Sequence, residues 1–384
     1  TIMDLGGEFE IEEQSYGRRK EEPSYVSLQV RAPSDKVLEQ ILLSCQSLGA
    51  NLSDTGDVQT VPAPRDGALP DGFYSTTNLK TEVRVNGHWV LVQDQEMDLA
   101  LVVDPQAGTV RCTPMADVRQ GQAVVVGHHG LRVTPLERAR EREVFSFMRS
   151  EVSSERPKQL AIAEIAETMG RIRGNGGKVL FVVGPAIIHT GAGPFLEELI
   201  AGGYVNVLFG GNAIATHDIE SALFGTSLGV DLATGLTVEG GHANHMRALN
   251  TVRQAGSIRA AVEQGIITRG VMYQCIKHDV QMVLAGSIRD DGPMPEVITD
   301  VIEAQQQMRR CIQDGVEMAI MICTMLHSIA TGNLLPASVK TVVVDINPAT
   351  VTKLADRGSM QVAGMVSDAE LFLSSLAQAL KASR

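Results

Sequence analysis

Six short and almost uninterrupted apolar runs in the second half of the chain constrain the fold more than any other feature. They are KVLFVVGPA, YVNVLFGGN, QMVLAGS, VEMAIMICT, TVVVDINP and MQVAGMVS. Helical stretches such as EVITDVIEAQQQMRRCIQDG separate them. Strands that are apolar on both faces and alternate with helices predict a parallel sheet covered by helices on both sides. The predicted fold class is therefore α/β, with a Rossmann-like parallel sheet in residues 146–384.

The first part of the chain has a different pattern of apolar and polar residues. Short alternating runs punctuated by turns fill residues 82 to 135, and the Asn86-Gly87 pair is typical of a hairpin. Upstream, YVSLQVRAP and DKVLEQILLSC predict one strand followed by one helix. We expect residues 26–145 to form a smaller α+β, β-rich domain, and the charged residues 1–25 to form an N-terminal arm.

Charge and cysteine content exclude several functions. The 33 basic and 45 acidic residues give a formal net charge of -12, which argues against binding to nucleic acid or to an anionic membrane. The five cysteines are odd in number and form no C-x-x-C pair, so neither a disulfide framework nor a thiolate metal site is expected. That usage fits a reducing cytoplasm. No apolar run approaches the roughly 20 residues that a membrane-spanning helix needs.

Polar residues follow three consecutive predicted strands. VEMAIMIC leads into Thr324, Met325, Leu326 and His327; TVVVD ends in Asp345; and MQVAGMV is followed by Asp368 and Ala369. In an open α/β sheet, ligands bind outside the carboxyl ends of the strands, where an acid can accept both hydroxyls of a ribose. Capping of the following helices predicts the same residue types and remains open for Asp345. Together the three turns favour a dinucleotide crevice.

The first apolar strand leads to HTGAGPFLEEL, in which Gly191 and Gly193 could admit a phosphate to the start of a helix. The third glycine of a G-x-G-x-x-G fingerprint is missing, since Leu196 occupies its place, so an ordinary turn is an equal alternative. Asn212 follows the second strand, where a ribose-binding acid would be expected, and its amide can still bond a hydroxyl.

The stretch VLAGSIRDDGPMP places Arg289, Asp290 and Asp291 directly after a strand. The planar guanidinium of Arg289 suits a carboxylate, and the two aspartates could accept from an ammonium group, a ribose or an amide. An arginine–aspartate pair that only tightens a Gly-Pro turn is the alternative, and the residues alone leave it open.

Histidines and one lysine complete the candidates. In EGGHANH, His242 and His245 stand three residues apart and could bind a metal, but a polar loop before a helix is the favoured interpretation and no metal is expected. His189 and the pair Lys277-His278 are weaker acid–base candidates.

The strings VGPAIIHTGAGP, LFGGNAIATHDIE, VLAGSIRDDGPMPEV, MICTMLHSIATGNLLP and VVVDINP resemble the archaeal and cyanobacterial type of ornithine cyclodeaminase, which carries an N-terminal LOR/SDH region. The resemblance extends from about Tyr25 to the C-terminus. It implies an NAD domain related to deoxyhypusine synthase, which would account for the missing glycine. It also implies cofactor contacts at Asn212, Ala213, Asp291, Thr324, Met325, Leu326, His327, Asp345, Asp368 and Ala369.

The chemistry implied by the resemblance is redox-neutral. NAD takes a hydride from Cα of L-ornithine, the side-chain amine displaces ammonia, and the cyclic imine is reduced to L-proline. Such a site needs a cation for the substrate carboxylate and a proton-transfer group near the amines. Arg289 is the expected clamp, and Asp290 or Lys277 the expected proton-transfer group. A cytoplasmic homo-oligomer is expected.

Three other functions remain open at this point. An amino-acid dehydrogenase or reductase of the lysine-ketoglutarate reductase/saccharopine dehydrogenase type would use the same crevice and release NADH. A transferase resembling deoxyhypusine synthase is disfavoured, because no lysine stands in a recognisable intermediate-forming motif. A regulatory module that only senses NAD belongs to a different class. The sequence fixes neither the diamino acid nor whether a chain that begins at Thr1 is a fragment of a larger protein.

Overall fold

The computed structural model describes residues 1–17, 24–47, 50–52, 56–134, 158–238, 241–290, 292–357 and 362–382. Within it the chain divides into two compact units, Thr1–Glu143 and Val144–Arg384. The predicted boundary between residues 145 and 146 falls within residues 135–157, which lie outside the described residues, so the exact domain limits stay a prediction.

The second unit contains a seven-stranded sheet. Its strands, in chain order, are β10 (Lys178–Val183), β11 (Val207–Gly211), β14 (Gln281–Ala285), β15 (Val297–Ile298), β16 (Val316–Ile322), β17 (Lys340–Asp345) and β18 (Val362–Val366). Every pairing in this sheet is parallel. All six predicted strands are present, and the α/β fold class is confirmed.

The order of the strands across the sheet is β15-β14-β11-β10-β16-β17-β18. The chain therefore builds outward from β10 in one direction and then returns to start β16 on its other side. This reversal creates a topological switch point between β10 and β16, the place where open α/β sheets bind ligands at the carboxyl ends of their strands.

Alternate side chains of β10 enter two separate cores. Val179, Phe181 and Val183 belong to one hydrophobic cluster, while Leu180 and Val182 belong to the other. Because successive side chains of a strand point to opposite faces, a strand buried on both faces has to be apolar throughout. The unbroken apolar run KVLFVV is therefore the direct sequence signature of the central strand.

The helices of this unit cover the two faces of the sheet. They are α2 (Lys158–Gly174), α3 (Ala186–His189), α4 (Gly193–Ala201), α5 (Asn212–Phe224), α6 (Asn244–Ala255), α7 (Ile258–Glu263), α8 (Val271–Lys277), α9 (Val301–Gln313), α10 (Met325–Leu334), α11 (Pro348–Arg357) and α12 (Ala369–Ala382). A two-stranded hairpin, β12 (Thr226–Ser227) with β13 (Val230–Asp231), follows α5. None of the described helices combines the length and the apolar character needed to cross a membrane.

The first unit is rich in short antiparallel strands. Its elements are β1 (Glu8–Ser15), β2 (Tyr25–Arg31), α1 (Asp35–Ser47), β3 (Gln59–Pro62), β4 (Lys80–Val85), β5 (His88–Leu91), β6 (Ala100–Asp104), β7 (Thr109–Thr113), β8 (Ala123–Val126) and β9 (Leu131–Thr134). They form the sheets β1-β2, β3-β8-β6-β7 and β5-β4-β9. Asn86 and Gly87 join β4 to β5 with positive φ angles of 51° and 77°, as the predicted hairpin turn requires.

Part of the arm predicted for residues 1–25 forms a β-strand. Residues Glu8–Ser15 form β1, which pairs antiparallel with β2. Phe9 and Ile11 alternate with glutamates in this segment, and Phe9 lies opposite Val30 while Ile11 lies opposite Leu28. Because many glutamates surround Phe9 and Ile11, the alternation of apolar and charged residues that predicts a strand is hard to recognise in the sequence. The cross-strand pairs of these two side chains stabilise the strand.

A buried carboxyl group in the second unit predicts a pH-dependent stability. Complete burial raises the pKa of Asp218 to about 7, although N–H groups of Met272 and Val271 donate to it at 2.7 and 2.8 Å and favour its charged form. Between pH 3.8, the ordinary pKa at which the unfolded chain loses this proton, and about pH 7, the folded protein still holds a proton at Asp218. Stability should fall as the pH rises through this window, because the folded state binds more protons there.

The test compares melting temperatures between pH 5 and pH 8 for the wild type and Asp218→Asn. The variant is expected to be less stable at low pH, because its amide NH2 group would face one of the two N–H groups and cannot accept from it. The wild type should lose several degrees more than the variant across this range, at roughly 2–4 °C per kcal/mol for a unit of this size. Parallel curves would show that Asp218 does not titrate in this way.

Candidate active site

The backbones that follow β10 and β16 approach each other closely at the switch point. A Cβ atom built on Gly184 would lie 2.0 Å from the carbonyl oxygen of Cys323, so only glycine fits there. Cys323 itself has a φ of 52°, a left-handed conformation that turns the chain from β16 into α10. The two strand ends are thus held together at the point where an open sheet accepts a ligand.

His327 lies over the end of β11. A Cβ on Gly211 would be 2.9 Å from its Cε1 atom, its Nε2 atom is 3.5 Å from the carbonyl oxygen of Ala285, and its Nδ1 atom is 3.2 Å from the hydroxyl of Thr324. Burial lowers the pKa of His327, with the carbonyl of Ala285 and the carboxylate of Asp290 opposing. The imidazole therefore favours its neutral form and bridges the ends of β11, β14 and β16.

Asn212 connects the end of β11 to the loop after β14. Its Nδ2 donates to Asp290 at 3.4 Å, and its Oδ1 accepts from the N–H of Met294 at 3.1 Å. The other carboxylate oxygen of Asp290 accepts from the N–H of Ser287 at 2.8 Å. Asn212 and Asp290, which are 78 residues apart, therefore form one polar network at the crevice.

The acids after β17 and β18 lie at the same edge. Asp345 and Asp368 both contribute to raising the pKa of the Cys323 thiol to about 12, after burial as the main cause. Asp345 Oδ1 accepts from the N–H of Asn347 at 2.8 Å, and no described residue donates to its Oδ2. Asp368 Oδ1 accepts from the N–H groups of Glu370 and Leu371. Each aspartate thus uses Oδ1 in a local turn or helix cap, and no described residue donates to the Oδ2 of either.

Large apolar side chains are exposed directly after three of the strand ends. Ile288 follows β14, Met325 and Leu326 follow β16, and Ile346 follows β17. A single exposed apolar residue needs no explanation, but a set that shares one sheet edge with convergent polar groups is typical of a ligand site.

The predicted glycine turn lies on the same side of the sheet. Gly191 has a φ of 79° and links α3 to α4, and Gly193 begins α4. Ala213 is exposed in the first turn of α5. The residues present fit a dinucleotide: two glycines permit close backbone approach, the start of α10 offers N–H groups, and Asp345 offers an acceptor.

Three further residues predicted from the sequence are Arg289, Lys277 and Asp291. Arg289 is exposed in the loop after β14, and no described residue pairs with its guanidinium. The structure corrects the prediction for Lys277. This residue ends α8 at the amino end of β14, on the opposite edge of the sheet. Its Nζ lies 5.5 Å from the ring centre of Tyr273. Asp291 lies outside the described residues.

Sequence reasoning missed His217, which lies in the interior of α5. Its ring centre is 4.8 Å from that of His189 and 6.5 Å from that of His245. Within the described part of the chain, no group of three or more histidine, cysteine, aspartate or glutamate side chains could hold a metal ion. Three histidines on three different helices, far apart in sequence, give no motif, so only the fold reveals their proximity.

Family models match residues 1–376 of the chain in three consecutive parts. Residues 163–376 match a C-terminal, Rossmann-fold region described as arginine dihydrolase ArgZ-like, and residues 80–162 match the first C-terminal region of the same kind. Residues 1–79 match a conserved region of the LOR/SDH bifunctional enzyme.

Similar proteins are known from archaea and cyanobacteria. The ornithine cyclodeaminase of Methanothermobacter thermautotrophicus is 52% identical over 99% of this chain and 92% of its own length. A crystal structure of a LOR/SDH protein from Methanococcus maripaludis is 47% identical with a TM-score of 0.80, over 87% of this chain and 99% of that one. A ternary complex of AgrE with ornithine and NAD+ is 44% identical with a TM-score of 0.58, over 100% of this chain and 54% of AgrE.

Proposed function

The chain belongs to the ornithine cyclodeaminase family with an ArgZ-like C-terminal region, and we propose that it converts L-ornithine to L-proline and ammonia with NAD as its cofactor. One observation carries the proposal: groups from the ends of five parallel strands converge at the switch point of the sheet. These groups are Asn212, Asp290, His327, Asp345 and Asp368. The related AgrE complex contains both ornithine and NAD+.

The crevice supplies the parts that a dinucleotide needs. Asp345 can accept hydrogen bonds from the ribose hydroxyls, and the start of α10, from Thr324 to Leu326, can offer N–H groups to the phosphates. Asn212 and His327 bound the opposite side. When bound, NAD supplies the hydride acceptor for the first step and the hydride donor for the last.

Arg289 and Asp290 are the residues that we assign to the amino acid. The guanidinium of Arg289, with no described partner, can bind the substrate carboxylate with two parallel hydrogen bonds. Asp290 is held by Ser287 and Asn212, so its carboxylate has a fixed direction beside the cofactor crevice. It can accept a hydrogen bond from an ammonium group of the substrate.

Ornithine turnover by the purified protein tests the proposal. We expect equal amounts of L-proline and ammonia, measured by amino-acid and ammonia analysis, with no steady rise in NADH absorbance, because the cofactor is regenerated in every turnover. Steady accumulation of NADH without proline would instead indicate an amino-acid dehydrogenase. Retention of NAD without turnover of any diamino acid would indicate a module that only senses the cofactor. Native mass spectrometry of the purified protein identifies the retained ligand in either case.

We also propose that the enzyme works as a homo-oligomer in the cytoplasm. The cysteines Cys45, Cys112, Cys275, Cys311 and Cys323 are all free thiols, which suits a reducing compartment. Symmetric homo-oligomers are the common state of soluble metabolic enzymes, and light scattering measures the state directly.

A further inference from the structure

Three histidine side chains lie in a row beside the ends of β10 and β11, and the proposed cofactor crevice uses none of them. His189 ends α3, His217 lies in α5, and His245 lies in the first turn of α6. The rings of His189 and His217 have centres 4.8 Å apart and cross at 65°. His245 is more distant, at 6.5 Å from His217.

Hydrogen bonds fix the orientation of the two close rings. The Nδ1–H of His217 donates to the carboxylate of Glu220 at 2.9 Å, which leaves its Nε2 as an acceptor. The Nδ1 of His189 lies 2.6 Å from the hydroxyl of Ser227. An imidazole whose Nδ1–H is held by a carboxylate is the arrangement that catalytic bases use to keep one tautomer and to stabilise the charged ring.

Glu220 is itself completely buried and held by several donors. The hydroxyl of Thr226 donates to it at 2.8 Å, and the N–H groups of Gly229 and Leu228 donate at 3.2 and 3.3 Å. A buried carboxylate with this number of donors is held in a fixed position. The orientation of His217 is therefore built into the fold.

The two histidines stand on α3 and α5, the helices that follow the carboxyl ends of β10 and β11. His189 follows the end of β10 by six residues, and α3 packs against α5. His217 is five residues beyond Asn212 on the same helix, which corresponds to about 7.5 Å along the helix axis. An amino acid bound beside the cofactor would therefore be near both the redox centre and the two imidazoles.

The proposed reaction requires one proton transfer between two substrate nitrogens. After hydride loss, Cα carries a protonated imine and the side-chain amine is neutral. A bond forms between the side-chain nitrogen and Cα, the bond from Cα to the α-nitrogen breaks, and ammonia leaves. In this exchange one proton moves from the side-chain nitrogen to the α-nitrogen, and the positive charge stays on the cyclic iminium.

We propose that His189 and His217 form the shuttle for this proton, taking it from the attacking nitrogen and giving it to the leaving nitrogen. The assignment rests on the proposed function. It places both amines of the diamino-acid substrate beside the two imidazoles. Burial lowers the pKa of His189, and His217 lowers it further, while Glu220 opposes.

The test uses the variants His189→Ala and His217→Ala and measures proline, ammonia and NADH together. Proline formation should fall at least about tenfold, since a positioned proton-transfer group contributes roughly 10²- to 10⁴-fold. The uncyclised imine should then react with water, so that NADH accumulates with the ammonia. Added imidazole should restore proline formation several-fold by filling the vacated space.

Controls separate a chemical role from a structural one. His88→Ala removes an exposed histidine at the start of β5 and should leave the formation of proline and ammonia unchanged, without accumulation of NADH. Melting temperature and NAD+ affinity, measured by calorimetry, show whether each variant keeps its fold and its crevice. If His217→Ala does not fold, His217→Gln and His189→Ala carry the test.

The outcomes distinguish this inference from the proposed function. Proline formation by both variants within about threefold of the wild type would overturn the shuttle, since proton-transfer groups contribute far more. Loss of proline formation without accumulation of NADH and without rescue by imidazole would also overturn it. Absence of proline formation by the wild type would overturn the proposed function first.

Discussion

Replacing Gly184 with alanine is expected to destabilise the protein strongly and to abolish NAD+ binding. The new Cβ would lie 2.0 Å from the carbonyl oxygen and 2.9 Å from the carbonyl carbon of Cys323. Neither atom can move alone, because Val183 is in register with Ile322 and the N–H of Gly184 donates to the Ile322 carbonyl at 3.1 Å. The central strands would have to separate where the crevice opens.

The expected cost is roughly 3 kcal/mol or more, at the upper end of what overpacking causes, because the obstructing atoms are backbone. The melting temperature should decrease by roughly 6–12 °C, since each kcal/mol corresponds to about 2–4 °C for a unit of this size. Calorimetric titration should show that NAD+ affinity is lost as well.

Gly170→Ala is the matched control for this substitution. Gly170 lies in α2 with nothing within 4 Å of an added Cβ. Alanine there should stabilise the protein by roughly 0.5–1 kcal/mol, because glycine costs more conformational entropy inside a helix. If both variants melt like the wild type, the close approach of the two strand ends does not constrain the fold.

The sheet could be predicted from the sequence because its central strands are apolar on both faces. Runs such as KVLFVV and VEMAIMI leave few alternatives to a buried parallel strand, and the residue after each run is fixed at the carboxyl edge. Asn212, His327 and Asp345 could therefore be named as candidates before any coordinates.

The remaining features depend on packing that sequence patterns do not encode. Lys277 is a sequence candidate because it precedes a strand, but that position lies at the amino edge of the sheet. His217 lies inside a helix whose pattern gives no sign of catalysis, and its closeness to His189 arises only from the packing of α3 on α5. Sequence order identifies strand ends, whereas side-chain clusters between helices require the three-dimensional arrangement.

Arg289→Ala is expected to weaken use of ornithine while leaving the cofactor crevice intact. Arg289 is exposed after β14, and its guanidinium has no partner among the described residues, so removing it breaks no ion pair with any of them. If it clamps the substrate carboxylate, the loss of a charge-assisted bond costs roughly 1.5–3 kcal/mol, or about a 10- to 100-fold decrease in kcat/KM. NAD+ affinity should stay unchanged.

Two further variants make this result specific. Arg289→Lys keeps the charge but not the planar fork, so its kcat/KM should lie between those of the wild type and the alanine variant. Arg259→Ala removes an exposed arginine that lies 3.8 Å from Asp279, near the amino end of β14, and should have no effect on turnover. Steady-state kinetics with ornithine, at saturating NAD+, measure all three variants. Unchanged KM and kcat in Arg289→Ala would show that another group binds the carboxylate, and the next candidate cation would then have to be sought outside the loop after β14.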